Sequence, residues 1–84
     1  MAKLPVVGAK DLIKALQRQG FLTVRQKGSH IVLEKLESGK KQIVVVPNHP
    51  EIAKGTLRSI LRKASLSIED LIKLLTVILG STPL

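Results

Sequence analysis

Three stretches of the chain carry apolar residues at the three- and four-residue spacing of an amphipathic helix. The first, over residues 9–20, ends at a glycine that suits a left-handed cap. The second, over residues 56–66, has an apolar stripe on one side and a basic side opposite. The third begins at Ser67, whose spacing from Asp70 indicates a loose capping box. This third helix is expected to extend over about residues 67–79.

Three shorter apolar stretches lie between the first two helices and are typical of strands. They read F-L-T-V-R-Q, H-I-V-L-E-K-L and Q-I-V-V-V, and the last stops at Pro47. The turns K-G-S and E-S-G-K-K are too short for parallel crossovers, so the strands form an antiparallel meander. Helices then have to cover one face of the sheet. The sequence predicts an α+β fold of order α-β-β-β-α, which is the order of the double-stranded-RNA-binding fold, with a third helix at the C-terminal end.

Length and composition predict a single domain over residues 1–84, with a core of about residues 10–66 and the helical extension after it. The core has to be aliphatic, because Phe21 is the sole Phe, Tyr or Trp and is itself expected in the core. The chain has no cysteine, which excludes disulfides and thiolate metal sites. No secretory signal or membrane-length apolar run is visible, so we expect a soluble, cytoplasmic protein.

Charge gives the first indication of a partner. Fourteen Lys and Arg against six Asp and Glu leave a formal charge of +8. An excess of this size in a small chain favours a polyanion, with nucleic acid ahead of a membrane, although a plain solvated basic surface is the alternative. The basic side of the second helix is the candidate for phosphate contacts, through Arg58, Arg62 and Lys63.

The first turn concentrates groups that could do chemistry. It reads R-Q-K-G-S-H, with Arg25 and Lys27 before the glycine and His30 after it. Histidine exchanges protons near neutral pH, the two cations can contact phosphate, and Gly28 lets backbone approach a ligand. Ser29 can donate or accept a hydrogen bond. Taken alone, however, this pattern is most often a solvated hairpin.

A second proton-transfer group would be needed if one histidine cannot act as both acid and base. His49, in P-N-H-P, is the other imidazole of the chain and a candidate partner, although a loop histidine between prolines is often merely exposed. A lysine, a water molecule or the substrate itself could serve instead. The two histidines are not at a metal-ligand spacing, and we expect neither a metal nor a cofactor.

Three blocks of sequence in order resemble the HicA toxins, the mRNA-cleaving members of a prokaryotic toxin–antitoxin system. They are G-F-L-T-V-R-Q-K-G-S-H, then I-V-V-V-P-N-H, then K-G-T-L-R-S-I-L-R-K-A, and the similarity runs from about residue 10 to 66. The resemblance implies ribonuclease activity without a metal and inhibition by a HicB-type antitoxin. It also implies that His30 is catalytic, within an intact G-S-H motif.

Two other functions stay open at this point. The chain could be an RNA-binding module of the same fold without catalysis. Less favoured is a DNA-binding helix-turn-helix formed by the last two helices. The scarcity of aromatic residues predicts RNA binding dominated by the backbone and weakly selective for sequence.

Overall fold

The computed structural model describes residues 3–78, which form three helices and one three-stranded sheet. In chain order these are α1 (Ala9–Arg18), β1 (Leu22–Lys27), β2 (His30–Glu37), β3 (Lys40–Pro47), α2 (Lys54–Ala64) and α3 (Ile68–Ile78). Both strand pairs are antiparallel, and β2 lies in the centre. The predicted α+β order, with a third helix after the α-β-β-β-α unit, is confirmed.

The ends of the elements differ by a few residues from the expected ones. α1 stops at Arg18, and Gly20 follows it with φ of 98°, as expected of a left-handed cap. β3 begins at Lys40, two residues earlier than the apolar run, because Ser38 and Gly39 form a two-residue turn. Both turn residues have positive φ, 51° and 78°, which is the pattern of a type I′ hairpin.

One face of the sheet belongs to the core. Ile31 and Leu33 of β2 alternate with more exposed residues, and they pair with Val46 and Val44 of β3. All four are buried, together with Phe21, the predicted aromatic core residue. We call this side the inner face. α1 and α2 pack against the sheet, so the strands bury alternate residues on the helix side.

The third helix is anchored at its start and along one side. The backbone N–H of Asp70 donates to the Ser67 hydroxyl at 3.0 Å, and the Ser67 N–H donates to the Asp70 carboxylate at 3.2 Å. This is the predicted capping box, with aspartate in place of glutamate. Leu71 and Leu75 are buried, and α3 packs mainly against α1. Residue 79 of the expected extension lies outside the described residues, and the division into core and extension stays a prediction.

Candidate functional site

The turn between β1 and β2 places His30 at the first position of the central strand. Lys27 and His30 pair across a two-residue turn made of Gly28 and Ser29. Gly28 has φ of 58° whereas Ser29 does not have positive φ, the pattern of a type II′ hairpin with glycine first. No atom would crowd a Cβ at Gly28, so its backbone conformation is what requires glycine there.

The loop between β3 and α2 is hydrogen-bonded to this turn. The carbonyl oxygen of Ser29 accepts a hydrogen bond from the N–H of Asn48 at 2.6 Å, and the carbonyl of His49 accepts one from the N–H of Ala9 at 2.9 Å. Gly8 lies so close to the Pro50 carbonyl that a Cβ would overlap it. The turn is therefore tied through one loop to the start of α1.

The side of the sheet opposite the helices carries His30. In β2, His30 and Val32 alternate with the buried Ile31 and Leu33, so they point to the other side, which we call the open face. Across the strands His30 pairs with Lys27 on one side and with Pro47 on the other. These three residues form the histidine row.

A second row lies next to it on the same face. Val32 pairs with Arg25 of β1 and with Val45 of β3, so the three residues form the valine row. Rows on one face are two residues apart along a strand, roughly 7 Å. Both cations predicted around the histidine therefore point to its own side of the sheet.

The two rows enclose one shallow depression of about 590 Å³. His30, Arg25 and Lys27 are exposed, Val45 is 43% exposed, and Val32 is half-buried. The depression is lined by Arg25, Lys27, His30, Val32 and Val45. It thus has a cationic rim, an imidazole and an apolar floor.

The cations of this depression are not neutralised by nearby carboxylates. Within residues 3–78 the ion pairs join Lys41 to Glu34 at 3.5 Å and Lys35 to Glu37 at 3.3 Å. Neither pair includes Arg25 or Lys27. Their charges are free to act on an anion that enters the depression.

His49 lines a different depression from His30. Its side chain is exposed and lines a separate depression at the start of α1, beside residues 8–11. The backbones of the two regions are close, since Asn48 bonds to Ser29. The two imidazoles nevertheless belong to different depressions, and a shared role for them stays a prediction without geometric support.

The basic side of α2 is divided between two flanks. Lys63 lines a depression together with Val45 and Ser59, so it borders the open face of the sheet. Successive helical residues turn by about 100°, which places Arg58 on the opposite flank and Arg62 between the two. All three are exposed. Of the three basic residues predicted on α2, Lys63 is the one that borders the site.

Sequence reasoning missed the apolar floor. The sequence pattern places Val32 and Val45 in strands and indicates no functional role for them, although two signals point to their exposure. Val32 alternates with buried residues, and I-V-V-V is an uninterrupted apolar run in an edge strand that has one face covered. Such a run has to expose part of its side chains.

Among the described residues, no three His, Cys, Asp or Glu side chains are grouped as metal ligands would be. None of the helices within residues 3–78 is long and apolar enough to span a bilayer.

Comparison with known proteins identifies the family. No curated protein sequence matches the chain. A family model described as the HicA toxin of bacterial toxin–antitoxin systems matches residues 9–66, more than half of the chain, from the start of α1 to just beyond α2. This segment contains the open face and every candidate site residue. The family generally comprises ribonuclease toxins, and a toxin of such a system implies an antitoxin partner. The chain belongs to the HicA toxin family.

Proposed function

We propose that this protein is an endoribonuclease toxin of a type II system that cleaves mRNA without a metal, through His30. The observation that carries the proposal is the shared depression on the open face, where His30, Lys27 and Arg25 meet in a member of the HicA family. No residue of the core is needed for this chemistry, and every group involved is accessible to a macromolecular substrate.

The proposed reaction is an internal transfer within the RNA chain. The His30 imidazole takes the proton from a 2′-hydroxyl, and the 2′-oxygen attacks the adjacent phosphorus. The bond from phosphorus to the 5′-oxygen then breaks, and that oxygen receives a proton from water or from the His30 imidazolium. Histidine suits both directions of transfer because it exchanges protons near neutral pH.

Lys27 and Arg25 stabilise the charge that the reaction creates. Lys27 lies directly opposite His30, where Cβ atoms of paired residues are roughly 5 Å apart. Its ammonium group can reach the same phosphate and stabilise the phosphorane oxygens. Arg25, one row further, binds a neighbouring phosphate. Gly28 and Ser29 bring the exposed backbone of the turn to the edge of this site.

The basic side of α2 extends the phosphate track. We propose that Lys63 contacts the RNA backbone beyond Val45, and that Arg62 and Arg58 contribute progressively less because they lie further round the helix. The partner that inhibits the toxin is proposed to be a HicB-type antitoxin, and the place of action is proposed to be the cytoplasm, where mRNA is translated.

Cleavage of a labelled single-stranded RNA in the presence of EDTA tests the proposal. The parent protein should cut it, and His30→Ala should bind it with unchanged affinity but cut at least about 100-fold more slowly. Gel analysis of the products and fluorescence anisotropy measure the two properties separately.

His49→Ala is the matched control, since it removes an exposed imidazole from the neighbouring depression. It should cleave at the parent rate. Equal losses in the two variants would place both imidazoles in the mechanism, and unchanged cleavage by His30→Ala would disprove the role of His30. Binding without cleavage by the parent would indicate a non-catalytic RNA-binding module, and preference for duplex DNA would indicate a DNA-binding protein.

A further inference from the structure

The floor of the His30 depression is apolar, although its rim is cationic. Val32 and Val45 are paired across β2 and β3, so their Cβ atoms are roughly 5 Å apart, and both side chains line the depression. Val45 is 43% exposed. Exposing this surface has no benefit for a ligand that consists of phosphates alone, because phosphate contacts need only the cations.

An RNA nucleotide has the matching chemistry. It carries an anionic phosphate at one end and a flat, largely apolar base face at the other. The valine row lies about one strand repeat, roughly 7 Å, from the histidine row. A phosphate held beside His30 and Lys27 therefore has the base of an adjoining nucleotide within reach of Val32 and Val45.

We infer that Val32 and Val45 form a platform for the base of one nucleotide that flanks the scissile phosphate. The inference rests on the proposed function and adds two properties to it. The base has to be unstacked and unpaired, because the faces of bases within a duplex are covered by their neighbours. Valine has no hydrogen-bonding side-chain atoms, so the platform favours larger bases by contact area without reading their identity.

The platform therefore specifies a single-stranded cleavage site, although the order of the elements is that of a duplex-RNA-binding fold. It also accounts for an RNA site with no Phe, Tyr or Trp among its lining residues. An aliphatic surface gives less stacking energy than an aromatic ring, and weak selectivity for base identity follows from this.

An abasic scan tests the platform. A single-stranded RNA with one mapped cleavage position is prepared with an abasic ribonucleotide at each position around the cut. For the parent protein, one flanking abasic position should lower kcat/KM by about fivefold, the lower end of the range for stacking one base, and the other positions should have smaller effects.

The matched protein change is the double replacement Val32→Thr and Val45→Thr, which keeps side-chain shape and strand preference but makes the floor polar. It should lower kcat/KM on intact RNA by a similar factor, and the sensitive abasic position should then have no additional effect. Ile43→Thr is the control, since Ile43 is 48% exposed on the same face but lies outside the depression. It should behave like the parent.

A variant that adds contact area separates loss of the platform from loss of folding, because a misfolded protein would not bind RNA more tightly. Val45→Phe should tighten binding of the intact RNA by about fivefold, and it should give no gain on the sensitive abasic RNA. The platform is wrong if the losses in kcat/KM from the valine changes and from the abasic position multiply when they are combined. It is also wrong if Ile43→Thr lowers kcat/KM as much as the valine changes do. The same conclusion follows if the valine changes leave RNA cleavage intact and weaken only the complex with a protein partner.

The platform and the proposed function fail in different ways. If the parent cleaves RNA in EDTA but shows no sensitive abasic position, the nuclease assignment stands and the platform is wrong. If the parent binds RNA without cleaving it, the nuclease assignment fails. The Kd values of the parent and the valine variants for intact and abasic RNA, measured by anisotropy, then still decide whether the valines contact a base.

Discussion

The two faces of the sheet are made from the same three strands but differ in their exposure to solvent. On the inner face, Leu33 and Val44 pair across the sheet and are buried under the helices. On the open face, Val32 precedes Leu33 and Val45 follows Val44, and these two valines pair in the same way but meet solvent beside His30. The residue types are similar, so the difference lies in what covers them.

Burial turns the inner residues into stabilising contacts, whereas exposure makes the open residues available to a ligand. Leu33 is fully buried, and its side chain contributes to folding by leaving water. His30 is exposed on the open face, so we expect its replacement to cost little packing. If the proposed function holds, stability and cleavage depend on alternate residues of one strand, and mutations should separate them.

The largest expected effect is a loss of stability in Leu33→Ala, with Leu36→Ala as its control. Both residues lie on β2, but Leu33 is 0% exposed on the inner face and Leu36 is 72% exposed. Leu33→Ala should lower the free energy of unfolding by about 3 kcal/mol through lost burial and a cavity. Leu36→Ala should change it by less than about 1 kcal/mol. Urea denaturation measures both values, and equal costs would mean that the open face is also packed.

The next effect is on RNA binding, from Lys27→Gln compared with Lys40→Gln. Lys27 lines the depression, whereas Lys40 lies at the other hairpin and has the same charge to lose. Lys27→Gln should weaken binding by about 1.5 kcal/mol, since a hydrogen bond to a charged group is lost. It should also reduce the salt dependence by about one counterion. RNA affinity is measured over a series of salt concentrations. A local contact predicts a larger loss of affinity in Lys27→Gln, whereas attraction by the overall charge of the protein would give both variants the same loss of affinity.

The smallest expected effect is on the stability of the two hairpins, tested by replacing Gly28 or Gly39 with alanine. Gly28 and Gly39 both have positive φ and open space where a Cβ would lie, so replacement by alanine should destabilise the fold by about 1 kcal/mol in each case. Only Gly28→Ala should also reduce kcat/KM, because its turn positions His30. Thermal melts and cleavage rates on the same preparations test this, and a matching loss of activity in Gly39→Ala would assign the effect to stability alone.

Much of the fold could be predicted because it depends on local spacing. Helical periodicity located all three helices within a few residues, and Ser67 with Asp70 marked the start of the third. The positive φ of Gly20 follows from its place after a helical stripe. The apolar pattern places the start of β3 two residues too late, because Lys40 and Lys41 are polar and join the strand only through pairing with β2.

The candidate site could be predicted only in part. His30 and its cations stood together in the sequence, so proximity along the chain was sufficient to find them. Val45 comes from a different strand, and its place beside Val32 depends on the register of β2 with β3. The β1 register also shifts between Thr23 and Arg25, an irregularity that no sequence pattern indicated.

By itself the sequence determined the elements, the aliphatic character of the core, the basic charge and the presence of a histidine in the G-S-H block. These follow from periodicity, composition and turn chemistry, which act over a few residues. Only the tertiary structure decided that His30 faces away from the helices, that His49 lines a separate depression, and that Lys63 rather than Arg58 borders the site. Those outcomes depend on strand register and on the side of α2 that packs against the sheet, and both are set by contacts between residues distant in the chain.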